Sequence, residues 1–253
     1  MTTFPTLFVS HGGPDLLKRE SPVREFLCRF GGELCAERGR PQAILVASAG
    51  FDTTAPSFCA DAEPRQIYDG SEEALARVAY PAPGLPQLAT IAANLVEAFG
   101  FPVQEVLGRG LDHGAWAPLS LLFPEAEIPV VEMAIQAKQG AGHHIALGRA
   151  LAPLRAHSIL IIGSGSLTHA AASMQAEVEA FADWVRDKAE AGVIDAIADY
   201  LALAPHAREM HPRPDHFVPL AFAFGAAGEG AKGRRLHHSV DGGTTAMDAY
   251  LFE

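Results

Sequence analysis

The sequence predicts an α/β fold: a single domain over residues 1–253, with a largely parallel central sheet and helices on both faces. Three observations carry that expectation. Short β-rich runs ending in small residues alternate with helix-period patterns from end to end of the chain. Several of the runs are apolar throughout, as strands covered on both faces are. No linker-like shift in composition, internal repeat or low-complexity tract divides the chain.

The elements follow in order. A first strand over 6–10 closes at Gly12-Gly13-Pro14, which turns the chain at once. A helix is expected over 23–38, where Cys28 and Cys35 stand seven apart on one face and read as small core residues. The second strand covers 43–48, and the Pro-rich stretch 80–86 is a shaped loop leading into a helix over 85–99. A third strand over 103–107 and a fourth over 128–134 precede a helix over 142–154 and a fifth strand over 158–162. Helices over 174–189 and 193–203 follow; in the first, Met174, Val178, Phe181 and Val185 recur at helical spacing as a core-facing stripe, with Glu177, Glu179, Asp183 and Asp187 left for solvent.

Composition narrows the function classes. The chain has 253 residues, 49% of them hydrophobic and 19% charged. At that length about three quarters of the unfolded surface is buried on folding, so the core needs no structural metal and any metal is functional. The net charge of −11, with no basic stripe, excludes nucleic acid as a partner. The longest near-continuous apolar run, 217–227, holds 11 residues including Pro219 and Gly225. A membrane span needs roughly 20. The N-terminus lacks the basic and apolar regions of a signal peptide, so a cytoplasmic location is expected. Three cysteines without a C-x-x-C pair argue against a disulfide framework and a thiolate zinc site.

The histidines carry the chemistry. In open α/β sheets ligands bind beyond the carboxyl ends of the strands. His11 closes the first strand, His113 follows the third in Asp112-His-Gly-Ala-Trp116, and His169 ends the loop after the fifth. His216 lies in His211-Pro-Arg-Pro-Asp-His216, in the expected first turn of a helix. Each has a structural reading taken singly, but with three of the four on one rim the group reads as metal ligands or proton carriers. His143, His144, His157, His237 and His238 read as surface or packing residues, while His206 and His211 flank the loop near His216. The segment Gly163-Ser-Gly-Ser-Leu-Thr168 lacks the third glycine and acidic partner of a dinucleotide site. Ser164 and Ser166 lie outside a G-x-S-x-G elbow, which leaves a serine nucleophile a minor reading.

Taken together, the segments resemble the class III extradiol ring-cleavage dioxygenases, in the branch of 4,5-DOPA dioxygenase-like proteins. The resemblance runs along almost the whole chain: His-Gly-x-Pro at 11–14, Pro-Gln-Ala-Ile at 41–44, Ser-Ala at 48–49, Tyr-Pro-Ala-Pro-Gly-x-Pro at 80–86, Asp-His-Gly-x-Trp at 112–116, Ile-Pro-Val-Val at 128–131, Gly-Ser-Gly-Ser-Leu-Thr-His at 163–169 and His-Pro-x-Pro-x-His-Phe-x-Pro-Leu at 211–220. It implies that His11 and His216 bind a divalent metal, Fe(II) for turnover and Zn(II) in some purified proteins. It implies further that His169 is the acid/base residue and that His113 helps to hold substrate or oxygen. The implied reaction is O₂-dependent extradiol cleavage of a small catecholic aromatic.

One departure falls on the implied metal site. The family's remaining ligand is a histidine in Ser-Ala-His-Trp, and here the motif reads Ser48-Ala-Gly-Phe51. Gly50 offers no side-chain donor, so metal affinity should fall by more than the roughly 10- to 100-fold that loss of an outer hydrogen-bond partner brings. Four readings stay open: an inactivated dioxygenase; a position filled by water or an anion; substitution by Asp52, two residues along an extended strand; or a metal-free binding protein or enzyme using His113 and His169 alone. An O₂-independent metal-assisted hydrolase is a further alternative.

Overall fold

A computed structural model describes residues 3–68, 78–170 and 174–253. Its ten strands are β1 (Thr6–Ser10), β2 (Ala43–Asp52), β3 (Ser57–Cys59), β4 (Gln104–Val106), β5 (Val130–Ile135), β6 (Ile159–Gly165), β7 (Gly233–His237), β8 (Val240–Asp241), β9 (Thr245–Ala246) and β10 (Ala249–Phe252). The helices are α1 (Pro22–Arg38), α2 (Pro86–Ala98), α3 (His113–Leu122), α4 (Gly140–Leu151), α5 (Gln175–Ala191), α6 (Ile194–Ala198), α7 (Tyr200–Leu203), α8 (Ala207–Met210) and α9 (Val218–Ala226). Eight strands form one sheet in the order β4-β3-β5-β2-β6-β1-β10-β7, and β8 pairs with β9 apart from it.

The middle of the sheet, β5-β2-β6-β1, is parallel, as the apolar runs require. Alternate residues of each strand enter opposite cores. Leu7, Val9, Ile44, Val46, Leu160 and Ile162 pack under α1 and α3. Leu45, Ala47, Val131, Ile159 and Ile161 face α2, α4 and α9, while Phe8 meets α5 and α9. The expected helices on both faces are therefore present.

Several details differ from the sequence reading. The expected third strand shrinks to Gln104–Val106, an edge strand whose Gln104 and Glu105 are exposed. The fifth begins after Ser158, which sits in the left-handed region at φ 57°. Residues 193–203 form two short helices, α6 and α7, rather than one. At the C-terminus β10 joins β1 antiparallel and β7 joins β10, adding a hairpin edge that the alternating pattern did not predict. The apolar run 217–227 is α9, buried on every side. It lies close on α4 because Gly225 faces the Ile145 carbonyl, where an added Cβ would stand at 2.2 Å. Cys28 is exposed and Cys35 half-buried, against the core placement expected of both; Cys59 is buried. Among the described residues no helix is long and apolar enough to cross a membrane.

Candidate active site

The four histidines converge where the carboxyl ends of β1 and β6 meet α3 and the turn before α9. Ring centroids run His113 to His11 at 5.8 Å, His11 to His216 at 5.7 Å and His216 to His169 at 5.1 Å. A cavity of about 450 Å³ opens on them, lined among others by His11, Gly50, Arg109, Asp112, His113 and His216. His169 is exposed and stands beside His216 rather than on the cavity wall. His216 falls two residues before α9, not within its first turn.

The protonation of His11 follows from a proline. Pro118 lies inside α3 and has no N–H to offer the carbonyl four residues back, that of Gly114. The Ser164 hydroxyl fills the vacancy, donating to the Gly114 carbonyl at 2.5 Å. With its proton so committed, Ser164 Oγ can only accept from His11 Nδ1, 3.0 Å away. His11 therefore carries its proton on Nδ1 and presents a lone pair on Nε2. Burial, and then the neighbouring His216, His113 and His169, hold the His11 pKa well below its ordinary value, so the ring is neutral. This use of Ser164 excludes it as a nucleophile, and the Ser166 hydroxyl is occupied on the Thr168 carbonyl at 2.7 Å.

His216 is oriented by another route. Asp215 Oδ1 accepts from His216 Nδ1 at 3.1 Å and from its backbone N–H at 3.0 Å. Burial pushes the Asp215 carboxyl up, but the His216 bond and the His216 and Arg213 charges outweigh it, and its pKa is lowered. An ionised Asp215 can only accept, so His216 Nδ1 carries a proton and Nε2 is the nitrogen left to ligate. Two imidazoles, each held at Nδ1, thus line one cavity.

Among the described residues no group of three or more His, Cys, Asp or Glu is spaced to hold a metal ion. The Asp52 expectation is not met. Residues 50 and 52 are both exposed, as alternation requires, but the register shifts between Ser48 and Asp52. Asp52 Oδ1 then accepts from the Ala137 N–H at 3.0 Å, in a separate cavity of about 250 Å³ with Thr53, Gln136 and Lys138. The residue beside Gly50 is Asp112: a Cβ at position 50 would stand 2.7 Å from Asp112 Oδ2. Asp112 caps α3 through Ala115 N–H at 3.1 Å, accepts from Ser48 Oγ at 2.7 Å and pairs with Arg109 at 3.2 Å. The arrangement fits a divalent metal held by two imidazoles with exogenous ligands completing its shell, and does not fit a closed triad of protein side chains.

The sequence reading missed Arg109, Asp112, Glu132 and Asp215 as site residues. Asp112 and Asp215 lay in quoted motifs beside the histidines they flank, and that adjacency was the available signal. Glu132 is fully buried on β5, where its Oε2 accepts the Asp112 N–H at 2.9 Å. Burial first, and then Asp112, push its pKa well up. His211 is a packing residue, its Nε2 2.7 Å from the Leu167 carbonyl and its ring against Phe181 and Phe217.

Comparison with known proteins adds to this geometry. The family profile described as the catalytic LigB subunit of aromatic ring-opening dioxygenase matches residues 4–252. A Beta vulgaris protein named 4,5-DOPA dioxygenase extradiol is 39% identical over 258 residues, covering 98% of this chain and 96% of its own. The protein of that name from Escherichia coli (strain K12) is 31% identical over 248 residues, 89% of this chain and 86% of its own. A crystal structure of an uncharacterized Escherichia coli K12 protein has a TM-score of 0.77 at 28% identity, covering 98% of this chain and 99% of that one.

Proposed function

Since the chain belongs to the family of the catalytic LigB subunit of aromatic ring-opening dioxygenases, we propose that it binds a small catecholic aromatic in the histidine cavity and opens its ring next to the hydroxyls with O₂. The observation that carries this reading is the matched pair of His11 and His216, each tied at Nδ1 so that Nε2 is free to ligate. A divalent metal on those two nitrogens, Fe(II) for turnover, would supply Lewis acidity toward the catechol hydroxyls and an electron path to O₂.

The chain's own residues supply position and proton transfer. Asp215 and Ser164 orient the two imidazoles. His169, exposed beside His216, takes a hydroxyl proton on a ring nitrogen as the catechol binds, and returns it as the ring opens. His113, buried at the start of α3, forms the wall against the aromatic and donates a hydrogen bond to reacting oxygen. With Gly50 in place of a donor, a metal on His11 and His216 would be held more weakly than by three side chains. The test is anaerobic Fe(II) titration followed by oxygen uptake with a panel of catechols. Iron binding with catechol-dependent uptake is the expected result; neither, even at high iron, overturns the reading.

That no group of three metal-ligating side chains occurs among the described residues favours one alternative, a metal-free binding protein that keeps the cleft. Catechol binding that survives strong chelation and the change His11→Ala would select it.

A further inference from the structure

Arg109 is built into the corner of the cavity that Gly50 leaves without a side chain. Its backbone is held from both sides: Asp61 Oδ1 accepts the Gly108 N–H at 2.7 Å and Asp61 Oδ2 accepts the Gly110 N–H at 3.3 Å. Both glycines have positive φ, and a Cβ on Gly110 would stand 2.2 Å from the Arg65 carbonyl, so this turn admits no bulkier residue there. The guanidinium lies over the Phe51 ring at 4.4 Å. All its hydrogen bonds run through Nη2, to the Gly50 carbonyl at 3.3 Å and Asp112 Oδ2 at 3.2 Å. Among the described residues its Nε and Nη1 donate to nothing, although the side chain is only 22% exposed.

Arg109 also belongs to a second cavity of about 440 Å³, lined by Arg65, Gln66, Ile67, Tyr68 and Gly108, and with Ile67 it forms the wall shared with the histidine cavity. Of the two acids beside the guanidinium, Asp112 stands at 3.2 Å from Nη2 and the buried Glu132 at 3.9 Å. A planar cation on a residue lining both cavities, anchored by one nitrogen and with its other donors unpaired among the described residues, matches the two oxygens of a carboxylate.

We propose that Arg109 makes the Gly50 corner a carboxylate-binding subsite, so that the aromatic ligand lies with its ring toward the histidines and its anionic substituent toward Gly50 and the second cavity. The inference rests on the proposed catecholic ligand and adds its charge and orientation. Because the guanidinium is already fixed, binding a carboxylate there needs little ordering of the side chain.

The test compares a catechol bearing a propanoate side chain with its uncharged primary amide, by anaerobic calorimetry on the whole protein with saturating Zn(II). Wild type should bind the carboxylate about 10- to 100-fold more tightly than the amide, the ratio expected of charge-assisted hydrogen bonds. Arg109→Gln should abolish that preference, and Arg109→Lys should retain only part of it. Equal affinity for the two ligands in wild type, or an undiminished preference in a folded Arg109→Gln protein, overturns the subsite. Amide binding without a carboxylate preference leaves the catechol reading standing while the subsite fails; binding of neither ligand removes both. The wild-type ligand comparison decides the matter even where the variants do not fold.

Discussion

Replacing Ser164 with alanine removes one oxygen that serves two buried partners. The Gly114 carbonyl, left without a helical donor by Pro118, loses the hydroxyl at 2.5 Å, and His11 Nδ1 loses its acceptor at 3.0 Å. Ser164 is fully buried and His11 only 6% exposed. A buried polar group left unsatisfied costs about 1–3 kcal/mol, so two place the loss at about 2–6 kcal/mol. In a chain of this size that lowers Tm by roughly 4–24 °C. The sharper readout is the tautomer: nitrogen NMR should show His11 protonated on Nδ1 in wild type and as a mixture in Ser164→Ala, with metal affinity falling by about 10- to 100-fold. Adding Pro118→Ala restores a helical donor to Gly114, so the double variant should regain about 1–3 kcal/mol of stability while the tautomers stay mixed. A wild-type His11 with its proton on Nε2, or a Ser164→Ala protein of unchanged stability and tautomer ratio, would refute the reasoning.

Gly50→His places a Cβ 2.7 Å from Asp112 Oδ2, so any gain in metal affinity should come with about 1–3 kcal/mol of lost stability from overpacking, read by denaturant titration. A stable variant with unchanged metal affinity would count against position 50 as the missing donor. Thiol labelling of the native protein should modify exposed Cys28 first and Cys35 more slowly; Cys59, buried with its pKa pushed up to about 11 by desolvation, should react only on unfolding. Acid should destabilise the fold as pH drops from about 6.5, where unfolded histidines titrate, toward about 4, where buried His144 and His211 do, because over that window the unfolded chain binds the extra protons. His238, raised by its bond to Asp248, works the other way: its contribution is full below the unfolded pKa and is lost as pH rises through the folded one. A stability curve flat between pH 7 and 4 would sink this account.

The sequence by itself determined the parallel core, because apolar runs such as Leu7-Phe-Val and Ile44-Leu-Val are stable only when covered on both faces, and short-range periodicity reports that burial. It also located the four histidines, since Gly and Pro flanks mark where strands end. The C-terminal hairpin edge was not legible, because β10 pairs with β1 across the whole chain length and local pattern carries no partner. Nor were the roles around Gly50. Alternation put Asp52 on the same side, and the strand pair confirms the exposure, but a register shift that depends on β5 sends its carboxylate to Ala137. Only tertiary packing brought Ser164 to a carbonyl orphaned by Pro118, fixing a proton on His11, and only it set Arg109 and Asp112 against Gly50. Protonation states and charge pairings are decided by which distant groups share a buried space, and that information resides in the fold rather than in the order of residues.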